Sequence, residues 1–238
     1  MPRISPTQIT KAQLDTYASA WAKAEEWSAN DLCQCFLSTS GIASNSPLMN
    51  FAYMDVATAR DLVQNSAGIA VKFVLVNDEA GKPVFTMVLY GVDETPARNA
   101  ITSFYLLGIA TAPANLKIDT ENIPIPYPEA KAWIEDWHAL TPLPTPPGTF
   151  TTASFYTEGQ WLMGYLYPKS DFETALSLPE QPNPAFWLNF VLHAPAPGGV
   201  FSTILTANSV PPEKEPGTLT LASRVIYLDI SKPCPPYC

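Results

Sequence analysis

Four cysteines are the side chains best suited to hold a soft metal ion or to exchange electrons. Cys33 and Cys35 stand in a Cys-x-Cys spacing, Cys234 and Cys238 in a Cys-x₃-Cys spacing. Each pair can offer two thiolates to one ion, and the four together could close a tetrahedral zinc site if the two pairs meet. A disulfide within the tail is an alternative that suits an oxidising compartment. A third reading is an incidental loop pair and a tail that binds nothing. Dithiol redox chemistry at Cys234 and Cys238 is disfavoured, because a reactive thiol draws its low pKa from the N-terminus of a following helix. The two histidines, His138 and His193, have neither a third histidine nor a cysteine at ligand spacing, so they read as structural or partly exposed side chains.

Carboxylates are the remaining material for catalysis. Glu25-Glu26 and Glu135-Asp136 fall on predicted helices, where neighbours at i, i+1 do not face each other, so they read as solvated surface. Asp93-Glu94 follows a predicted strand end, where a site could form. With Tyr53 or Tyr156 it would furnish a hydrolase-like site in a cleft between two halves of the chain. No nucleophile elbow, phosphate-binding Gly-Lys-Ser/Thr loop or dinucleotide glycine motif occurs. Ala80-Gly81-Lys82-Pro83 has a fragment of a phosphate loop's composition, but the flanking strands and Pro83 make it a hairpin turn.

The composition narrows the partners. The chain has 238 residues, 47% hydrophobic and 15% charged, which suits a packed core. Its net charge of −9 and lack of any basic stripe argue against nucleic acid or an anionic membrane surface. No apolar run approaches the ~20 residues of a membrane-spanning helix. Met1-Pro2-Arg3-Ile4-Ser5 shows no signal-peptide core. The expectation is a soluble, cytoplasmic protein with no cofactor, binding an unknown protein or small ligand. The six tryptophans and ten tyrosines read mainly as core, since Trp133 and Trp137 fall at helix-stripe spacing.

The elements that would position such groups recur along the chain. Lys72-Phe73-Val74-Leu75 resembles Asn189-Phe190-Val191-Leu192, and Val84 to Leu89 resembles Val200 to Leu205, with a Gly-containing turn between them in each case. Lys11 to Tyr17 lines up with Lys131 to Trp137, and Ala52-Tyr53-Met54-Asp55 with Phe155-Tyr156-Thr157-Glu158. Four matches in one order favour duplication. In the first copy, Ser5-Pro6-Thr7-Gln8 predicts a helix start, followed by the stripe Leu14, Tyr17, Ala18 and Trp21. A second helix is predicted from Asp55 through Val63. In the second copy Pro128 opens a helix, and Thr157 with Gln160 forms a capping-box pattern before Trp161, Leu162, Tyr165 and Leu166. Two alternating strands then form a hairpin in each copy, with a third strand at Thr102 to Leu107 and at Ser223 to Leu228. The expected fold class is α+β, with antiparallel sheets and helices on one side. It would hold two tandem helix-helix-strand-strand-strand units in a pseudo-twofold arrangement. Residues 1–118 form the first unit, 119–127 a Pro-containing linker, and 128–238 the second unit with its Cys-Pro-Pro-Tyr-Cys tail.

Several of these segments resemble a group of bacterial proteins, usually one copy long, for which no activity is established. The matching segments are Lys131-Ala132-Trp133-Ile134, Ala70-Val71-Lys72-Phe73, Met87-Val88-Leu89-Tyr90-Gly91-Val92-Asp93 and the tail Cys234-Pro235-Pro236-Tyr237-Cys238. The second half has Ala207-Asn208-Ser209 in place of Gly91-Val92-Asp93. The resemblance implies a tandem duplication and supplies no function. The expected role is therefore a non-catalytic binding or assembly module. A hydrolase-like enzyme with its site between the copies, and thiol-based metal binding at the tail, are the alternatives.

Overall fold

In the computed structural model, residues 4–37, 48–110, 127–140, 150–177, 185–193, 199–208 and 232–233 are described. In chain order the strands and helices are β1 (Thr7–Ile9), α1 (Lys11–Lys23), α2 (Ala29–Gln34), β2 (Phe51–Asp55), α3 (Val56–Gln64), β3 (Gly68–Asn77), β4 (Pro83–Val92), β5 (Phe104–Leu106), β6 (Gly108–Ala110), α4 (Tyr127–His138), β7 (Tyr156–Thr157), β8 (Gln160–Trp161), β9 (Gly164–Pro168), α5 (Lys169–Leu176), β10 (Ala185–His193), β11 (Val200–Asn208) and β12 (Lys232–Pro233). The fold is α+β and its strand pairs are antiparallel. The expected strand at residues 223–228, the linker 119–126 and the Pro-rich stretch 141–148 lie outside the described residues.

The two long hairpins follow from period-two alternation. β3 and β4 pair from Gly68↔Val92 to Asn77↔Pro83, and β10 and β11 from Ala185↔Asn208 to His193↔Val200. The turn at the tip of the first is built by Asp78, whose carboxylate accepts the amides of Ala80 at 3.0 Å and Lys82 at 2.9 Å. Gly81 completes it at φ +74°, where a side chain would be strained. This is the hairpin turn that the sequence predicts.

Each hairpin is extended by a short strand from the opposite half of the chain. β2 pairs with β10, Asp55 opposite Ala185 and Phe51 opposite Asn189. β9 pairs with β3, Pro168 opposite Gly68 and Gly164 opposite Lys72. Both short strands run directly into a helix, α3 after β2 and α5 after β9. The result is a four-stranded sheet, β11-β10-β2-β6, and a six-stranded sheet, β1-β5-β4-β3-β9-β12. Among the described residues the main hydrophobic core draws on residues from Ile9 to Leu205, and Phe51 and Trp187 form a separate buried cluster.

The two sheets face each other, so helices do not simply cover one side of each. Phe73 meets Phe201 at 5.5 Å between ring centroids, and Phe85 meets Phe190 at 5.7 Å. The Tyr165 hydroxyl donates to the Phe201 carbonyl, and Tyr167 donates to the Thr203 carbonyl at 2.8 Å. Helices α1 and α4 pack on β3 and β10 respectively. Both faces of the central hairpin are therefore apolar and buried, as near-continuous strands such as Val84 to Val92 require.

Three local expectations change. The first helix starts at Thr10, not at Ser5. The Thr10 hydroxyl accepts the Gln13 amide at 3.2 Å, and the Gln13 side chain accepts the Thr10 amide at 2.9 Å. Ser5-Pro6 cannot open it, because Thr7 to Ile9 is committed to β-pairing with Phe104 to Leu106. Thr157 and Gln160 do not cap a helix; they face each other across a two-residue turn in which Glu158 and Gly159 have φ +50° and +76°. Left-handed residues at both central positions are the signature of a tight hairpin. The apolar run after it forms β9, and the helix begins only at Lys169. Finally, Ala52–Asp55 is part of β2 on the β10 edge, whereas Phe155–Glu158 leads into the small β7–β8 hairpin; the strand with the corresponding place on the β3 edge is β9.

The tryptophans anchor this arrangement. Trp21 Nε1 donates to the Leu162 carbonyl at 2.8 Å, and Trp137 Nε1 to the Met49 carbonyl at 3.0 Å. The Trp21 ring lies 5.9, 5.0 and 5.5 Å from Phe73, Phe85 and Phe155. The Trp137 ring lies 5.8, 5.1 and 5.5 Å from Phe190, Phe201 and Phe36. Trp137 therefore has the surroundings of Trp21, one helical turn away from the Tyr17 match that the sequence suggests. Replacing either indole by Phe removes a buried donor and strands a carbonyl. Trp21→Phe and Trp137→Phe are each expected to cost roughly 1–3 kcal/mol, by similar amounts, in urea unfolding.

Candidate functional site

The cysteines of the first pair are buried in and just after α2. Ser28 caps this short helix, its hydroxyl accepting the Asp31 amide at 3.1 Å. Cys33 and Cys35 are not joined in a disulfide and are 1% and 0% exposed. Burial pushes the Cys33 thiol up to about 12, so it stays protonated at neutral pH. Cys35 Sγ points to the Asp31 carbonyl at 3.8 Å, and its own carbonyl accepts the Phe85 amide at 3.0 Å. A metal-binding thiol must deprotonate and meet the ion, and this burial opposes both. Cys234 and Cys238 lie outside the described residues. Among the described residues no three His, Cys, Asp or Glu side chains stand together in a way that could hold a metal ion. With Cys234 and Cys238 replaced by Ser, the native chain is expected to leave its thiols unmodified by an aromatic disulfide reagent at pH 8. Modification before unfolding would contradict the burial of Cys33 and Cys35.

Asp93, the carboxylate best placed for chemistry, is used by its own loop. Its side chain accepts the Thr95 amide at 3.1 Å and the Thr95 hydroxyl at 2.5 Å. It also accepts the Asn99 amide at 3.0 Å and the Asn99 side-chain amide at 3.1 Å. These hydrogen bonds, led by those from Thr95 and Asn99 side chains, hold its pKa below the ordinary carboxylate value. Arg98, at φ +48°, donates to the Asp93 carbonyl at 3.2 Å and closes the turn. Glu94 is exposed beside it. Because the folded-state pKa is depressed, the stability Asp93 supplies is complete above its unfolded pKa and fades as pH falls through the folded value. Asp93→Ala is expected to remove that acid-sensitive increment, seen as a flatter dependence of melting temperature on pH between about 5 and 2.

The tyrosines stand elsewhere. Tyr53 lies on the face of the four-stranded sheet turned away from the core, 5.3 Å from the Trp187 ring and 6.4 Å from Phe51. Tyr156 lies on the small β7–β8 hairpin, where its hydroxyl donates to Glu25 at 3.3 Å. Burial and then the Glu25 charge raise its phenol pKa. Tyr53, Asp93 and Tyr156 thus occupy three different surroundings, each with its own neighbours. Glu26, Glu135 and Asp136 are exposed, in keeping with solvated helix surface. His138 and His193 end α4 and β10, and their side chains lie outside the described residues.

Sequence reasoning misses two groups. Lys72 sits on a central strand, opposite Val88. Burial, and then the charge of Lys11 on α1, lower its ammonium pKa. Asp171 in the first turn of α5 has its carboxyl raised by burial, against the opposing hydrogen bond from Ser170. A lysine inside an alternating apolar strand was the available signal for the first; nothing in the sequence marks the second. Trp21, Trp137 and Trp161 are buried in the main core and Trp187 in the separate cluster with Phe51, whereas Trp27 and Trp133 are half-buried.

No helix among the described residues is long and apolar enough to cross a membrane. Comparison with family models, with curated proteins and with solved structures finds no match for this chain.

Proposed function

We propose that the chain is a non-catalytic binding or assembly module, built as an intramolecular pseudo-dimer of two diverged copies. The observation that carries this reading is reciprocity. Each Trp donates its indole N–H into the other half, at the matched carbonyls Leu162 and Met49. The Phe73 amide donates to the Met163 carbonyl at 3.0 Å, and the Phe190 amide to the Asn50 carbonyl at 2.8 Å. The Met49 amide reaches the Phe36 carbonyl at 2.7 Å, and the Leu162 amide the Phe155 carbonyl at 2.8 Å. Even the short bridge Leu37↔Leu48 has its counterpart in Tyr156↔Trp161. A contact i to j matched by j′ to i′ is the mark of an isologous interface.

The side chains that could do chemistry support the non-catalytic part. Asp93 holds a turn, Cys33 is a buried protonated thiol, and Tyr53 and Tyr156 stand in separate surroundings, Tyr156 bonded to the exposed Glu25. The negative net charge points the partner surface away from nucleic acid. A hydrolase substrate panel of esters, phosphate esters, glycosides and peptides tests this reading. No turnover is expected above a heat-inactivated control. Turnover that Asp93→Asn or Tyr156→Phe abolishes would establish the enzyme instead.

A further inference from the structure

The two places where a short strand crosses to the opposite hairpin occupy equivalent positions but are filled differently. At the β2–β10 junction the outward residues are Phe51 and Tyr53 on the short strand and Trp187 on the hairpin. Phe51 and Trp187 pack edge to face at 4.5 Å and are both buried. At the β9–β3 junction the same positions hold Gly164, Leu166 and Ala70, as the registers show: Phe51↔Asn189 answers Gly164↔Lys72, and Tyr53↔Trp187 answers Leu166↔Ala70. Gly164 has φ +147°, and a Cβ there would fall 2.1 Å from the Val71 carbonyl oxygen and 3.1 Å from Lys72 Cα. Backbone against backbone cannot give way as the end of a side chain can.

We infer that the two junctions have diverged into unlike locks, so that each half accepts the unlike half as its partner and rejects a second copy of itself. This rests on the duplicated, pseudo-dimeric reading above. A first half pairing with its own kind would bring Phe51 to the place of Gly164, where the backbone path that Gly164 follows at φ +147° leaves no room for a Cβ against Val71. A second half pairing with its own kind would bring Gly164 opposite Asn189 and Leu166 opposite Trp187, and leave that indole without the Phe51 ring. One wrong pairing is blocked by steric overlap and the other loses its aromatic contact, which is how specificity against a near-identical competitor is built. The partner surface of each half is therefore the hairpin edge of β3 or β10, and its chemical fit is set by small against large residues.

The test uses the full chain with a protease site inserted between residues 118 and 127, folded first and then cut. The fragments are separated in denaturant and refolded alone and mixed, with light scattering and near-ultraviolet circular dichroism as readouts. The expected result is a one-to-one complex with the uncut chain's aromatic spectrum, and no folded species from either fragment alone. A folded homodimer of either fragment would overturn the selectivity while leaving the duplicated reading standing. A fragment that folds alone as a monomer would overturn that reading itself. If separated fragments do not recombine, the cut native chain decides. Phe51→Gly is then expected to weaken the hold between the fragments by about tenfold or more, and an unchanged hold would overturn the proposal.

Discussion

The fold depends on one constraint: each long hairpin completes one of its strand edges with a short strand from the other half of the chain. The edge of β3 is completed by β9 and the edge of β10 by β2. The carbonyls of Met49 and Leu162 lie just ahead of those short strands and receive the two indole N–H groups. Buried carbonyls are costly to leave unpaired, and a Trp ring brings both the donor and a large apolar area to the same point. The indole bond therefore fixes where the exchanged strand enters, and the strand ladder fixes everything that follows it, including the start of α3 or α5.

The aromatic core follows from this geometry. Phe36, Phe85, Phe155 and Phe201 bring the two halves together, with Phe36 and Phe155 at 5.4 Å and Phe85 and Phe201 at 5.6 Å. Rings at these separations in edge-to-face and tilted poses interdigitate, each pair adding about 0.5–1.5 kcal/mol beyond area burial. Such a centre has packed side chains between the two halves of the chain. On the loop after β4, Asp93 spends its acceptor capacity on Thr95 and Asn99.

The parts legible in the sequence are those governed by local periodicity. Alternation predicts both long hairpins and the turn at Gly81, and the helical stripe predicts α1, with Leu14 and Trp21 buried on it. The helix expected from Asp55 starts there, with Asp55 as its cap accepting the Thr58 amide at 2.7 Å and the Thr58 hydroxyl at 2.6 Å. The failures are places where two patterns share one spacing. Thr157 and Gln160 have capping-box separation, yet the same two residues flank a hairpin turn, and only left-handed Glu158 and Gly159 decide between them. In the helices, sliding the repeat alignment by four residues keeps the apolar stripe nearly in phase, because a turn holds about 3.6 residues. Periodicity cannot then distinguish Tyr17 from Trp21 as the match of Trp137; Trp21 is the one whose indole, like that of Trp137, donates to a carbonyl of the other half. For the candidate site, residue type alone flagged Cys33 and Asp93 and could not show that burial and loop hydrogen bonds had already committed them. Strand exchange was illegible for the same reason, since it joins residues about a hundred positions apart through backbone atoms that carry no sequence signal.

Covalent joining of the two copies, in the proposed reading, changes what selection can do with the seam. In a homodimer of identical chains every substitution appears twice, so a Phe at the entry of one strand is also a Phe at the entry of the other. A symmetric pair cannot hold a bulky ring where one hairpin has room and glycine where the other has a carbonyl in the way. Once joined, the two junctions vary independently. Phe51 can pack on Trp187 while Gly164 lets its strand lie against Val71. The same freedom explains why Asp93 and its turn exist at the end of β4, while β11 ends at Asn208 with a different sequence. Divergence is thus greatest at junctions and strand ends, and least where Trp21 and Trp137 must each find a carbonyl in the opposite half.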